Sequence, residues 1–555
     1  MASPANSADN STDLSTPATK NQIPAAPRIM QAVLTLSVLT LLARLTGLLQ
    51  RQVIVTLLPT QAAEAYSAAF GLPDALNYIV AGGAISITFI PIFTKFWTRG
   101  QEAQAWRFFS ALVSVMGCFL TVLTVAMMVW TPQLLLLLLP GLGAPEKAET
   151  YQLAIQMTRI ILPAQLFFYL GGLLVGVLNT FKRFGATGWT SALNNVIAIV
   201  CGVSLLRYFG PLGFAWGILL GAFCGNFMLP LLSARRGPRA QRPRFAWRFT
   251  LKDASVRRFF ALALPIIFSV SLPIVDQYVV RYFASSMPLG SLTYLENANR
   301  LMIAAQGVLG QAAAVAAFPY LAGESASGDY RAFADFLRSG LRRLLFIALP
   351  VSTLLWLWAA PITRLLYGYG QFNDPQKLRE TALYFALYSI GLFAWVGQGL
   401  VARGFYALGD TRTPTLVGGV LTLFFFVPLC ALMAKFYGAA GLSLATSIGA
   451  AAYFGSVLIL LDKKLGKAPY QVVLGLDKIG GTLMRTGAAC ALMGLAGSLA
   501  LQLVLGVFPN NKIGDLGLVA WSGAVALFVF AASATRFEIP EWNWLRAKIS
   551  RRKRA

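Results

Sequence analysis

Two apolar runs between Ala43 and Ile92 are interrupted by Arg44, Gln50, Arg51, Glu64, Asp74 and Asn77. A charge at the centre of a bilayer costs between ~3 and ~15 kcal/mol, so such residues face a partner, a bundle interior or a water-filled cavity. Arg44 and Arg51 are seven residues apart, about two helical turns, and so share a face. Two guanidinium groups on one face can hold a phosphate through bidentate hydrogen bonds. They can equally pair with Glu64 or Asp74, or snorkel to the surface, and both readings stay open. Asp276 and Gln277 lie halfway along the run SVSLPIVDQYVVRYF, and Glu296, Asn297, Asn299 and Arg300 fall in YLENANRLM. Arg300 lies opposite the first-half arginines in the repeat scheme, which allows a shared cavity, while Glu296 and Arg300 also have the spacing of an ion pair on one helix, the reading favoured for Glu296. Arg159, in another apolar run, reaches either a cavity or the lipid surface. The chain has no histidine, which excludes a histidine triad, metal site or proton relay. Cys118, Cys201, Cys224, Cys430 and Cys490 lack metal or CxxC spacing and read as reduced, buried packing residues.

The elements that position these groups are membrane helices. Of 555 residues, 57% are hydrophobic and 12% charged, against about 25% charged in soluble domains. The net charge of +25 resides in loops beside apolar runs, which fits orientation and anionic lipid better than nucleic acid. Residues 1–27 are rich in Ser, Thr, Ala, Pro and Asn, lack a signal-peptide pattern, and are expected to be a disordered cytoplasmic tail. Fourteen spans are predicted, at about 29–58, 62–95, 105–130, 150–180, 186–207, 211–233, 259–286, 291–322, 340–366, 378–405, 413–435, 438–462, 480–507 and 514–536. The piece Pro132–Pro140 is too short to cross and caps the outer side. With both termini cytoplasmic, only Lys147, Arg207, Arg281, Arg364, Lys377, Arg379, Lys435 and Lys512 fall outside. Arg44, Arg51, Arg159 and Arg300 lie within the membrane, and the remaining basic residues fall inside.

An internal repeat organises the spans. LVGVLNTFKRFG (174–185) resembles LVARGFYALG (400–409), and FGPLGFAWG (209–217) resembles YGAAGLSLA (437–445), pairing Gly210 with Gly438 and Gly213 with Gly441. Both matches share nearly the same offset and the same place in the span order. The predicted fold is therefore an all-α polytopic membrane protein with two pseudo-symmetric six-helix lobes, 28–234 and 259–465, joined by a basic cytoplasmic loop, 235–258. Two further helices occupy 466–540, and a basic tail 541–555. Paired halves entering the membrane in the same direction usually bind substrate between them and rock to give alternating access.

The segments ARLTGLL, AEAYSAAFGLPDAL, AGGAISITFIPIF and ANRLM resemble the MurJ/MviN family of the MOP exporter superfamily, over about residues 28–540. That resemblance implies a transporter, not an enzyme, in the bacterial cytoplasmic membrane. It would flip lipid II, the undecaprenyl-diphosphate-linked peptidoglycan precursor, from the inner to the outer leaflet. It implies no cofactor, with coupling to a monovalent cation or the membrane potential, and the chain has no P-loop for ATP. The implied partners are lipid II, membrane lipids and the cell-wall synthesis machinery, without nucleic acid. By position, Arg44 and Arg300 match cavity arginines expected to meet the diphosphate, and Glu64 stands where the family usually has aspartate. Gln50 occupies another arginine position, with Arg51 one place later on the face of Arg44. Asn77 and Gly82 replace an arginine and a glutamate, and Arg159 stands where some members have lysine. Asp276 lies near a position that helps bind sodium in some members, while span eleven offers no Asn or Asp beside it. Competing readings are an exporter of another lipid-linked oligosaccharide and a nontransporting membrane scaffold. A drug exporter would favour acidic cavity residues, and the arginines argue against it.

Overall fold

Proline and glycine punctuate a chain that is otherwise helical. The computed structural model describes residues 26–81, 88–250, 253–504 and 511–552. Gly82 and the run to residue 87, and the tail residues 1–25, lie outside the described residues. The first half comprises α1 (Ala26–Leu57), α2 (Thr60–Ala69), α3 (Gly71–Ala81), α4 (Ile90–Thr98), α5 (Glu102–Val129), α6 (Thr131–Leu138), α7 (Ala148–Ile161), α8 (Ala164–Thr180), α9 (Phe184–Phe209), α10 (Leu212–Gly221) and α11 (Leu229–Arg235). The second comprises α12 (Ala254–Ser285), α13 (Ser291–Gln306), α14 (Ala312–Ser327), α15 (Tyr330–Leu357), α16 (Ala359–Tyr367), α17 (Pro375–Ile390), α18 (Leu392–Ala407), α19 (Arg412–Leu421) and α20 (Val427–Leu465). Three more follow, α21 (Leu476–Val504), α22 (Lys512–Arg536) and α23 (Pro540–Arg552). There is no strand among the described residues.

Several expected spans are broken rather than straight. Span four divides into α7 and α8 at Pro163, which has no N–H to give the turn before it. Span two breaks after Ala69, so Asp74 and Asn77 ride on a separate helix from Glu64. Among the described residues nine helices are long and apolar enough to cross a membrane, or ten if α17 and α18, bent by 41°, count as one crossing. The uninterrupted stretch Arg412–Leu465 covers two expected spans, and its backbone leaves helical geometry at Gly438. The expected fourteen crossings are consistent with this arrangement. The cysteines are less uniform than expected: Cys430 and Cys490 are buried, Cys201 and Cys224 half-buried, and Cys118 exposed. An apolar thiol on a lipid-facing helix needs no protein cover.

The repeat is visible in the backbone. Gly210 closes α9 at φ 54°, ψ −144°, and Gly438 bends α20 at φ 58°, ψ −141°. An L side chain resists this conformation, so the two matched glycines make the same reversal in each half. At Gly213 a Cβ would stand 2.7 Å from the backbone of Leu205, and at Gly441 2.1 Å from the Met433 carbonyl. Both positions let one helix press on the backbone of the last. The other repeated turn is made by left-handed residues in both halves, Lys182 (φ 57°) and Gly409 (φ 74°).

The added helices pack on the second lobe, with Phe346 and Leu357 of α15 against Met493, Ala526 and Phe530. Arg364–Asp515 at 2.8 Å and Arg342–Glu541 at 2.7 Å fix them there. Between α18 and α19, Asp410 accepts hydrogen bonds from the backbone of Arg412 and Thr413 and from Lys464. Burial alone would raise this carboxyl, but the hydrogen bonds from Lys464 and Thr413 prevail and hold it at about 2. A folded value below the unfolded one, about 3.9, means that the ionised group stabilises the turn above that range and stops doing so as pH falls through the folded value. Hydrogen exchange at the start of α19 should therefore be slower than in Asp410→Asn at neutral pH. The difference should shrink between about pH 4 and pH 2; a pH-independent difference would remove the carboxylate from this role.

Candidate functional site: a charged cavity between the lobes

The lobes meet where α1, α2 and α3 face α12 and α13, and between them lies a cavity of about 620 Å³. Its charged lining residues are Arg44 of α1, Asp74 of α3, Asp276 and Arg281 of α12, and Glu296 and Arg300 of α13. Each half thus delivers an arginine to the same space, as the sequence predicts for Arg44 and Arg300. Arg44 donates to the Ile303 carbonyl across the interface at 3.3 Å. Arg300 is exposed and has no ion-pair partner within 4 Å among the described residues.

The expected Glu296–Arg300 pair does not form. Glu296 instead bonds Arg281 at 3.0 Å and Arg51 at 3.5 Å, and Arg281 also reaches Asp74 at 3.4 Å. Tertiary partners override the i,i+4 spacing because α12 and α1 bring Arg281 and Arg51 within reach of the Glu296 carboxylate. Arg51 is 1% exposed. Its Nε donates to Asn297 Oδ1 at 2.5 Å and its Nη2 to Ser67 Oγ at 2.8 Å. It joins the lobes from within, and its structural pairing is with Glu296 rather than Glu64.

Glu64 is 0% exposed and Lys147 5%. Lys147 Nζ donates to Glu64 at 3.0 Å and to the carbonyls of Ser285 at 2.9 Å and Met287 at 2.7 Å. The Gly290 N–H completes the carboxylate's shell. This cluster closes the lobes together at the end remote from the basic loops, and Glu64 is not among the cavity-lining residues. Lys147, expected on the outer side of the membrane, is buried in this cluster, and Arg281, expected on the same side, is half-buried against the cavity. The elements below Lys147 follow from the same seam: Gly141 packs with its N–H on Ser285 Oγ at 3.1 Å.

Gln50, Arg51, Asn77 and Arg300 line a second pocket of about 270 Å³ with Gln165, Asn194 and Asn195. Asn77 Nδ2 donates to Gln165 Oε1 at 2.9 Å, so the position where the resemblance implies an arginine holds an amide pair. Asp276 accepts from Thr422 Oγ1 at 2.7 Å. Thr422 opens a wide π-helical turn between α19 and α20, so span eleven offers Asp276 a hydroxyl. The two also border a small pocket of about 130 Å³ behind the main cavity. Arg159 is brought to neither cavity: it is exposed, and its Nε donates to the Met128 carbonyl at 2.9 Å. Arg281 was legible in principle, because it shares the run SVSLPIVDQYVVRYF with Asp276. Lys147 had no local signal, its partner lying 83 residues away in the chain. No cluster of His, Cys, Asp and Glu that could hold a metal ion occurs among the described residues.

This arrangement has close counterparts. Lipid II flippase MurJ from Burkholderia cenocepacia is 30% identical over 476 residues, 84% of this chain and 89% of that relative. A probable lipid II flippase MurJ from Vibrio cholerae is 26% identical, over 77% of this chain and 82% of its own. Among solved structures, lipid II flippase MurJ in an inward closed conformation superposes with a TM-score of 0.72 at 20% identity, covering 90% of this chain and 99% of that one. An inward-facing multidrug resistance MATE transporter of the MOP superfamily gives 0.66 at 14% identity, over 78% of this chain and 98% of its own. The family model described as lipid II flippase MurJ matches residues 54–512, and the chain belongs to that family.

Proposed function

We infer that this protein, a multi-pass transporter of the bacterial inner membrane, flips lipid II from the inner to the outer leaflet. The observation that carries this reading is the meeting of Arg44 and Arg300, from opposite lobes, on one cavity of about 620 Å³. A diphosphate leaving water needs cationic donors in a low-dielectric space, and arginine supplies them in a fork that matches phosphate oxygens. The prenyl chain can stay in lipid beside the protein while the polar head passes between the lobes. No bond is made or broken, so the wall needs no nucleophile or general acid. Rocking of the lobes about the α1–α13 seam would open the cavity to each side in turn. Asp276 with Thr422 is the place for a coupling cation, and the cell-wall synthesis machinery is the natural consumer of the product.

The test is complementation in cells depleted of their own lipid II flippase, with membrane levels of the protein measured alongside. Restored growth and cell shape support the reading. A well-inserted protein that fails to rescue would instead assign it to another lipid-linked oligosaccharide, in keeping with the amides at Gln50 and Asn77.

A further inference from the structure

The connector between the lobes has an ordered form that lobe tethering does not require. From Arg235 to Thr250 it carries six arginines and no carboxylate. Its course follows α5. Trp106 Nε1 donates to the Ala240 carbonyl at 3.2 Å, and Ser110 Oγ donates to the Arg244 carbonyl at 3.1 Å. The Ala246 N–H donates to Ser110 Oγ at 3.2 Å, and the Arg248 N–H to Ser114 Oγ at 3.0 Å. Trp106, Ser110 and Ser114 repeat every four residues and so form one face of α5. At 1.5 Å per residue they hold the connector along roughly 12 Å of helix.

Two features place this segment at the level of lipid headgroups. Phe245, Trp247 and Phe249 alternate along the chain: Phe245 meets Trp247 edge to face at 5.1 Å between ring centroids, and Trp247 stacks on Phe249 at 5.9 Å. They are 46%, 73% and 66% exposed, so much of the ladder is left open by the described residues. Residues 243–250 also make no backbone–backbone hydrogen bond among the described residues. Their remaining N–H and C=O groups need water or headgroup oxygens, which hydrocarbon does not supply. Aromatic rings with free polar backbone beside them belong at the membrane interface. Arg242, Arg244 and Arg248 are exposed, the first two just before Phe245 and the third between Trp247 and Phe249, and Arg242 Nε also donates to the Gly237 carbonyl at 3.0 Å.

We propose that residues 239–250 form a binding site for anionic phospholipid of the leaflet on the basic face, cytoplasmic by the positive-inside rule. The Phe245–Trp247–Phe249 ladder enters the headgroup–acyl boundary, and Arg242, Arg244 and Arg248 hold lipid phosphates. The serines of α5 fix the backbone between the two. This site is independent of the cargo lipid and of the cavity arginines.

The probe is phosphatidylglycerol with brominated acyl chains, compared with brominated phosphatidylcholine, in vesicles containing the full-length protein. The difference in fluorescence between wild type and Trp247→Phe isolates Trp247. Its quenching should reach half-maximum at about fivefold lower mole fraction of phosphatidylglycerol than of phosphatidylcholine, the order expected from one arginine near an anionic surface. In Arg242→Gln/Arg244→Gln/Arg248→Gln the two lipids should quench alike, because the aromatic ladder and its serine anchors remain. Equal quenching in wild type would reduce the segment to an ordinary aromatic belt and overturn the proposal. Absence of quenching by either lipid would put the ladder in water and overturn it as well.

Discussion

Arg300→Ala should reduce lipid II transport by about 10- to 150-fold, the range that follows from losing a charge-assisted hydrogen bond of about 1.5–3 kcal/mol. The protein should remain folded at normal membrane levels, because Arg300 is exposed to the cavity and ties no two helices together by an ion pair. Arg44→Ala should act in the same direction, with a small additional loss of stability from its hydrogen bond to the Ile303 carbonyl. Lysine at position 300 should recover only part of the activity, since it keeps the charge but not the planar fork. The measurement is complementation combined with accessibility of lipid II at the outer leaflet. Full transport by a well-inserted Arg300→Ala protein would remove this residue from substrate contact.

The second large effect is expected at Lys147. Lys147→Met leaves the Glu64 carboxylate buried with the Gly290 N–H but without its counterion. Breaking a buried pair from one side costs about 3–5 kcal/mol, mostly as an uncompensated charge. Glu64→Gln should be milder, because the ammonium keeps the carbonyls of Ser285 and Met287. The double variant Lys147→Met/Glu64→Gln should be more stable than Lys147→Met alone, since no isolated charge is left in the seam. Thermal unfolding of the four proteins in detergent gives the double-mutant cycle directly. Additive losses would show that the two side chains do not act as a pair.

These two residues illustrate what could be read from the chain. The fold class and the two-lobe repeat were legible because apolar length and matched glycines are local signals: Gly210 and Gly438 make the same turn. Arg44 and Arg300 were legible because an arginine in an apolar run has few places to go. The partners were not. Glu296 sits four residues before Arg300 yet bonds Arg281 and Arg51, since helix spacing describes one helix and the cavity is built from several. Lys147 looked like an outer-loop lysine because positive-inside counting treats loops as solvent, whereas this loop folds back onto Ser285 and Met287. The smaller amide pocket around Asn77 and Gln165 was hidden for the same reason, as its walls come from different helices.

The cavity wall holds three arginines and three carboxylates, so its formal charges cancel. A lobe movement that carries only this wall does no electrical work against a transmembrane voltage. A headgroup with two phosphates brings net negative charge into the same wall, and a voltage negative on the inner side pushes that charge outward by ~2.3 kcal/mol per elementary charge per 100 mV. A stroke loaded with that headgroup would then feel the field, and a stroke that carries the bare wall would not.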